Sequence, residues 1–376
     1  MSEPSLRDFL DNGDRTPPPP RNPDPRVREF HRSMPGYAAT AVADAPGTAA
    51  ALGLDRLVVK LETERFGLPA FKVLGASWAA CRALSARAGR KEPAATFPEL
   101  RALAGDLGAL TLVAATDGNH GRAVAHVAAM LDLRAHILVP DGTARARIDA
   151  IAGEGAEVQI VDGSYDEAVE LSAQLAGDTR LVISDTSWEG YEEVPGWVAE
   201  GYATIFGELS EQLDAIPPLV AIQIGVGALA SAAVRALAAP GRILVGIEPA
   251  DAACTLEAVR AGRPVLVPGP HRSVMAGLNC GLASPIALPD MTGGIDAFCA
   301  IDDRATERAV RLLLGDGLAC GETGAAGVAG LLALRERRSH ATWQRLGVTP
   351  DTPPAALAIC TEGPTDPASF ERITAG

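Results

Sequence analysis

Leu219-Val220-Ala221-Ile222-Gln223-Ile224-Gly225-Val226-Gly227-Ala228-Leu229-Ala230 reads as an apolar strand, a glycine turn and the opening of an alanine-rich helix. Glycines let the backbone bend closely around a ligand, and the first free amides of a helix point at an anion. A phosphate suits that arrangement. Taken alone, the motif suits a tight strand-to-helix turn with no ligand equally well. The spacing is not the G-x-G-x-x-G of a dinucleotide fold, because Leu229 and Ala230 take the later positions. Nor is it a Walker loop, since no Lys-Ser/Thr follows.

The same alternation extends outward in both directions. Strand patterns fall at residues 57–61, 110–114, 135–139, 157–161, 180–184, 219–224, 242–247 and 355–359, with helical patterns between them. Continuously apolar strands separated by helices predict an α/β fold built on parallel sheets covered on both faces. Ligands of such sheets gather where strands end and helices begin. The Pro- and Gly-rich stretch 261–296 reads as irregular.

The chain has 376 residues, 47% of them hydrophobic, enough for a packed core and too many for a disordered chain. Its 33 basic and 47 acidic residues leave a net charge of −14. That charge disfavours partnership with nucleic acid or anionic membrane, since both need clustered cations. No run approaches the ~18 apolar residues of a membrane span. Residues 1–27 form a polar, proline-rich arm without the apolar core of a secretory signal. The six cysteines form no C-x-x-C pair, which excludes a zinc ribbon and a dense disulfide framework. A soluble, cytoplasmic protein is expected. Cys254 and Cys280, bordering the irregular stretch, are the one pair worth testing for a bridge, against a default of two buried thiols.

Four further segments carry reactive groups. In Ala70-Phe71-Lys72-Val73-Leu74-Gly75, a lysine stands in an apolar stretch before a helix. Desolvation disfavours the ammonium, which is how lysines become nucleophiles or Schiff-base partners. A lysine snorkelling to the surface is the plainer reading, but the chain has only Lys60, Lys72 and Lys91. Thr116-Asp117-Gly118-Asn119-His120-Gly121-Arg122 places a carboxylate, an amide and an imidazole at one strand exit. Asp185-Thr186-Ser187-Trp188-Glu189-Gly190-Tyr191 and Cys360-Thr361-Glu362-Gly363 load two other exits with polar groups. Each alone reads as a turn or a solvated loop. A Schiff-base lysine, a phosphate loop and three polar exits together match what pyridoxal 5′-phosphate needs.

With those segments the chain resembles the tryptophan synthase β-like (fold type II) family of pyridoxal-phosphate enzymes, and within it the subfamily acting on 2,3-diaminopropionate. Phe30-His31-Arg32-Ser33-Met34-Pro35-Gly36-Tyr37, Arg65-Phe66-Gly67-Leu68 and Met275-Ala276-Gly277-Leu278-Asn279-Cys280-Gly281 carry the likeness as well. The resemblance implies a cofactor cleft between two domains, a homodimer and a small amino-acid substrate. Its domains would be a large one over 28–78 and 191–376 and a small mobile one over 79–190, after the arm 1–27. It implies Lys72, next to Phe71, as the lysine that bonds the cofactor. Asn119 would meet the ring hydroxyl, and Gly225, Val226, Gly227, Ala228 and Leu229 the phosphate, with Ala228 where Ser or Gly is usual. Cys360 or Thr361 would face the pyridine nitrogen. It makes Asp117 the base for one stereoisomer and Lys72 for the other, with Asp185 beside the departing amine. The implied reaction is α,β-elimination of ammonia to give pyruvate and ammonia. A serine/threonine dehydratase, a β-replacement synthase and a non-catalytic paralogue are the competing readings.

Overall fold

The computed structural model describes residues 6–13, 15–16, 23–116, 118–335 and 353–375. It divides into two compact units. The first comprises Met1–Asn22, Ala39–Glu64 and Ile205–Gly376, the second Pro23–Ala38 and Arg65–Thr204.

The first unit is built on seven strands: β1 (Leu6–Asp11), β2 (Val42–Asp44), β3 (Arg56–Leu61), β8 (Leu219–Gln223), β9 (Ile243–Pro249), β10 (Ala297–Ile301) and β11 (Ala355–Cys360). Their order is β1-β10-β9-β8-β11-β3-β2, parallel except at the two edge strands β1 and β2. β8, β9 and β10 are buried along their whole length, which is why they read as unbroken apolar runs. Leu57, Val59, Ala221, Val245, Ile247 and the Glu322–Arg335 helix share one apolar core. Each fully buried Val, Leu or Ile side chain contributes about 1.5–3 kcal/mol. Gly330 lets that helix lie against Ile247, whose Cγ1 occupies the place of a Cβ there. A buried pair also serves this unit: Nζ of Lys60 lies 2.8 Å from Oε2 of Glu208 and donates to O of Thr40.

The second unit holds four parallel strands, β4 (Thr111–Ala115), β5 (Arg134–Pro140), β6 (Glu157–Val161) and β7 (Arg180–Val182), in the order β6-β5-β4-β7. β4 lies between β5 and β7, so its exit at Thr116 and that of β7 at Ile183 are neighbours. The Tyr165–Gln174 helix starts on a capping box, Ser164 with Glu167.

Within the polar arm 1–27, β1 pairs antiparallel with β10, and the Pro25–Ser33 helix starts before its end. Two expectations change. The stretch 261–296 contains a helix at Leu288–Gly294, and β10 starts at its end. Residues 28–38, 65–78 and 191–204 belong with the four-stranded sheet instead of the large domain. The cause is packing: the Lys72–Arg87 helix lies so close to the Glu193–Gly201 helix that a Cβ on Gly75 would sit 2.7 Å from Cγ1 of Val198. Among the described residues, no helix is long and apolar enough to cross a membrane, and no His/Cys/Asp/Glu group could hold a metal ion.

Candidate active site

In the four-stranded unit, Lys72 opens the Lys72–Arg87 helix, with Phe71 as the preceding cap residue. Phe71 packs its ring on Tyr202 at 4.6 Å between centroids, which fixes the start of the helix. Nζ of Lys72 lies 5.6 Å from the Phe71 ring centre. It donates to Oδ2 of Asp185 at 2.6 Å. The Lys72 side chain keeps 21% of its exposure and Asp185 only 5%, so a reachable amine is held by a buried carboxylate.

Asp185 is placed by the exit of β7. The Tyr191 hydroxyl donates to O of Val182 at 2.7 Å and accepts from the amide of Ser184 at 3.2 Å, which pins the backbone before it. Trp188 stacks on Tyr191 at 4.1 Å, closing the loop after it. The Tyr165 hydroxyl donates to the other Asp185 oxygen at 3.4 Å. Burial opposes ionisation of Asp185, but the Lys72 ammonium, the His120 imidazole and the hydrogen bonds to the carboxylate together outweigh it and hold the carboxyl well below its usual range. Asn119 and His120 open the Asn119–Met130 helix behind Gly118, at the exit of β4. Nε2 of His120 donates to O of Ile183 at 2.7 Å. Asp117 lies outside the described residues.

In the seven-stranded unit, Gly227 has φ +104°, a left-handed conformation that a residue with a side chain adopts only under strain. It precedes the Ala228–Leu237 helix, whose first turn has no side-chain cap. A Cβ on Gly225 would meet O of Gly277 at 3.0 Å, so the turn is kept clear of side chains. Gln223, the last residue of β8, ties this turn to the exit of β11: its Nε2 lies 2.9 Å from O of Ile359 and from Oγ1 of Thr361, and 3.0 Å from O of Thr323.

One cysteine pair departs from expectation: Cys360 is disulfide-bonded to Cys320. Cys254 and Cys280 are not bridged and are both buried, the default expected for them. Cys360 at the end of β11 and Cys320, two residues before the Glu322–Arg335 helix, bring their Cα atoms 6.0 Å apart, within bridging distance. A bridged Cys360 has no thiol proton, so of the two residues expected at the ring nitrogen only Thr361 offers a polar hydrogen.

Pyridoxal phosphate fits this inventory: an amine for its aldehyde, uncapped helix amides on a bare glycine turn for its phosphate, a buried hydroxyl for its ring nitrogen. Lys72, Asp185, Phe71 and Asn119 stand in one unit, Gly225 to Leu229 and Thr361 in the other. Sequence reasoning missed Tyr165, Gln223 and any role for His120. A glutamine ending an otherwise apolar strand and the Ser164-x-x-Glu167 box ahead of the Tyr165 helix were the available signals.

The chain belongs to the pyridoxal-phosphate dependent enzyme family, whose model matches residues 34–348. Within it, the chain is similar to diaminopropionate ammonia-lyase of Escherichia coli strain K12, with 32% identity over 96% of this chain and 94% of that protein. The diaminopropionate ammonia-lyase of Salmonella typhimurium is 33% identical over 92% and 90%. The crystal structure of the Escherichia coli enzyme in complex with an aminoacrylate-PLP azomethine reaction intermediate superposes with a TM-score of 0.86, at 30% identity, covering 99% of this chain and 98% of that one.

Proposed function

We propose that this chain removes ammonia from 2,3-diaminopropionate, and that hydrolysis of the eliminated product by one water yields pyruvate and a second ammonia. The observation that carries the reading is the 2.6 Å contact between Lys72 and Asp185. A diamine brings a second cation to the site, and a buried carboxylate beside the reactive amine is the group that would hold it.

Pyridoxal phosphate, when bound, supplies an electron sink for the negative charge that develops at the substrate α-carbon. Lys72 is the residue that would bond its aldehyde, the amides of Gly225 to Leu229 would take its phosphate, and Asn119 and Thr361 would face its ring oxygen and nitrogen. A hydroxyl facing that nitrogen, in place of a carboxylate, would leave it less protonated and would suit chemistry at the β-carbon. Nζ of Lys72, once a neutral amine, takes the α-proton of one stereoisomer. The Asp117 carboxylate takes that of the other. Asp185 holds the departing amine as an ammonium and keeps it next to the lysine. The neutral Phe71 and Tyr202 rings wall the lysine and limit water around it.

The same reading makes the partner a small amino acid, the assembly a homodimer and the compartment the cytoplasm, with no role for nucleic acid or membrane. The test is purified protein incubated with L- and D-2,3-diaminopropionate, serine and threonine, with pyruvate, oxobutyrate and ammonia quantified. Pyruvate with two equivalents of ammonia from diaminopropionate supports the proposal. Oxobutyrate from threonine, with diaminopropionate inert, would turn it into a dehydratase.

A further inference from the structure

His120 stands beside the Lys72–Asp185 pair and takes no part in the steps above. The carbonyl of Ile183 can only accept, so Nε2 carries the ring proton and Nδ1 is left with a lone pair. Nδ1 is buried and has no hydrogen-bond partner. It lies 3.9 Å from Oδ2 of Asp185, the same oxygen that Lys72 holds at 2.6 Å.

Two acceptors, a bare ring nitrogen and a carboxylate oxygen, thus face each other in a buried setting. The Lys72 ammonium makes this tolerable, because it neutralises Asp185 and repels a second proton from the imidazole. Burial holds His120 below the usual histidine range; Asp185 acts in the opposite direction, and Lys72 adds to the burial. Among the described residues, the other titratable groups packed here are the Tyr165 hydroxyl, on the far oxygen of Asp185, the Tyr191 hydroxyl, on O of Val182, and Tyr202, whose ring meets Phe71. None supplies a positive charge. When Lys72 is neutral and no substrate ammonium is bound, Asp185 would be a buried anion with no cation beside it.

We propose that His120 is the alternate counter-ion of Asp185: as Nζ of Lys72 gives up its proton, Nδ1 of His120 takes one and the imidazolium replaces the ammonium beside the carboxylate. One N–H bond breaks at Nζ and one forms at Nδ1, with Oδ2 of Asp185 adjoining both atoms, so the charge of the three groups is conserved. His120 is therefore a positioning residue that keeps Asp185 ionised throughout. The inference rests on the proposed role of Lys72 as a base.

The experiment follows the imidazole without turnover. Full-length wild-type chain free of cofactor and its Lys72→Met variant are labelled with ¹⁵N-histidine and titrated by NMR, with His120→Gln assigning the resonance. In the wild type, Nδ1 of His120 stays unprotonated at neutral pH. In Lys72→Met its titration midpoint rises by about one pH unit or more, a tenfold or greater change in proton affinity. Adding Asp185→Asn cancels the rise. Unchanged midpoints in Lys72→Met, and in Lys72→Ala as a second neutral variant, would overturn the proposal. A rise with no ammonia from either diaminopropionate isomer would sink the substrate reading and leave the exchange of counter-ions intact.

Discussion

Lys72 and Asp185 lie 113 positions apart in sequence and meet at 2.6 Å, amine on carboxylate. The lysine comes from a helix start and the aspartate from a strand exit of the same four-stranded unit. The contact gives the lysine a defined direction before any ligand arrives. It also sets how the site should answer to substitution.

Borohydride reduction of the holoenzyme followed by peptide mass mapping should put the pyridoxyl group on Lys72. Label on Lys60 is not expected, because its amine is fully buried against Glu208. Asp185→Asn should retain that label and lose roughly 10²–10⁴ of the lyase rate, the range for a positioned proton-handling group. Label found on another lysine would refute the assignment.

Gly227→Val should release the cofactor. At φ +104° a β-branched residue is strained, and its Cβ would lie 2.5 Å from Cε of Met291. Fluorescence titration with pyridoxal phosphate reads the effect, expected as at least a tenfold weaker Kd, equivalent to about 1.4 kcal/mol. Unaltered affinity would place the phosphate elsewhere.

Asp117→Asn should keep the bound-cofactor absorbance band, since Lys72 and the glycine turn are untouched. Its ammonia release should fall by about 10²–10⁴ with the D-isomer and much less with the L-isomer, whose α-proton faces Lys72. Equal, small losses for both isomers would reduce Asp117 to a turn residue.

Glu248 makes stability depend on pH. It is fully buried at the end of β9 and accepts from the amides of Thr255 and Leu256 at 2.7 and 2.8 Å. Burial nonetheless pushes its carboxyl up from 4.5 to about 7. Between those values the folded chain keeps a proton that the unfolded chain has lost. This contribution to stability is therefore full below 4.5, declines as pH rises to 7 and is flat beyond, at no more than about 1.4 kcal/mol per pH unit. Urea unfolding at pH 5 and pH 8 should show the decline in the wild type and a smaller one in Glu248→Gln. Parallel declines would show that Glu248 is ionised in the fold.

Much of the architecture was legible in local pattern. Buried parallel strands have both faces covered, so β4, β8 and β9 announce themselves as apolar runs, and Gly225-Val226-Gly227 marks a strand-to-helix turn. β1 and β2 were not legible, because edge strands are partly exposed and lack that signature. β10, though fully buried, was hidden by the irregular stretch before it.

By itself the sequence determined the α/β class, the glycine turn, the lysine at a helix start and the polar residues at strand exits, since each depends on neighbours a few positions away. Only the tertiary structure decided that Lys72 belongs to the four-stranded unit, that Asp185 and His120 converge on it, and that Cys320, in place of Cys254 or Cys280, closes on a partner at Cys360. Those outcomes depend on strand order: β7 lies next to β4, and β11 between β3 and β8. The pairing energy of parallel strands is nearly indifferent to which apolar run is the neighbour, and helix packing against the finished sheet, as at Gly330 on Ile247, selects the arrangement.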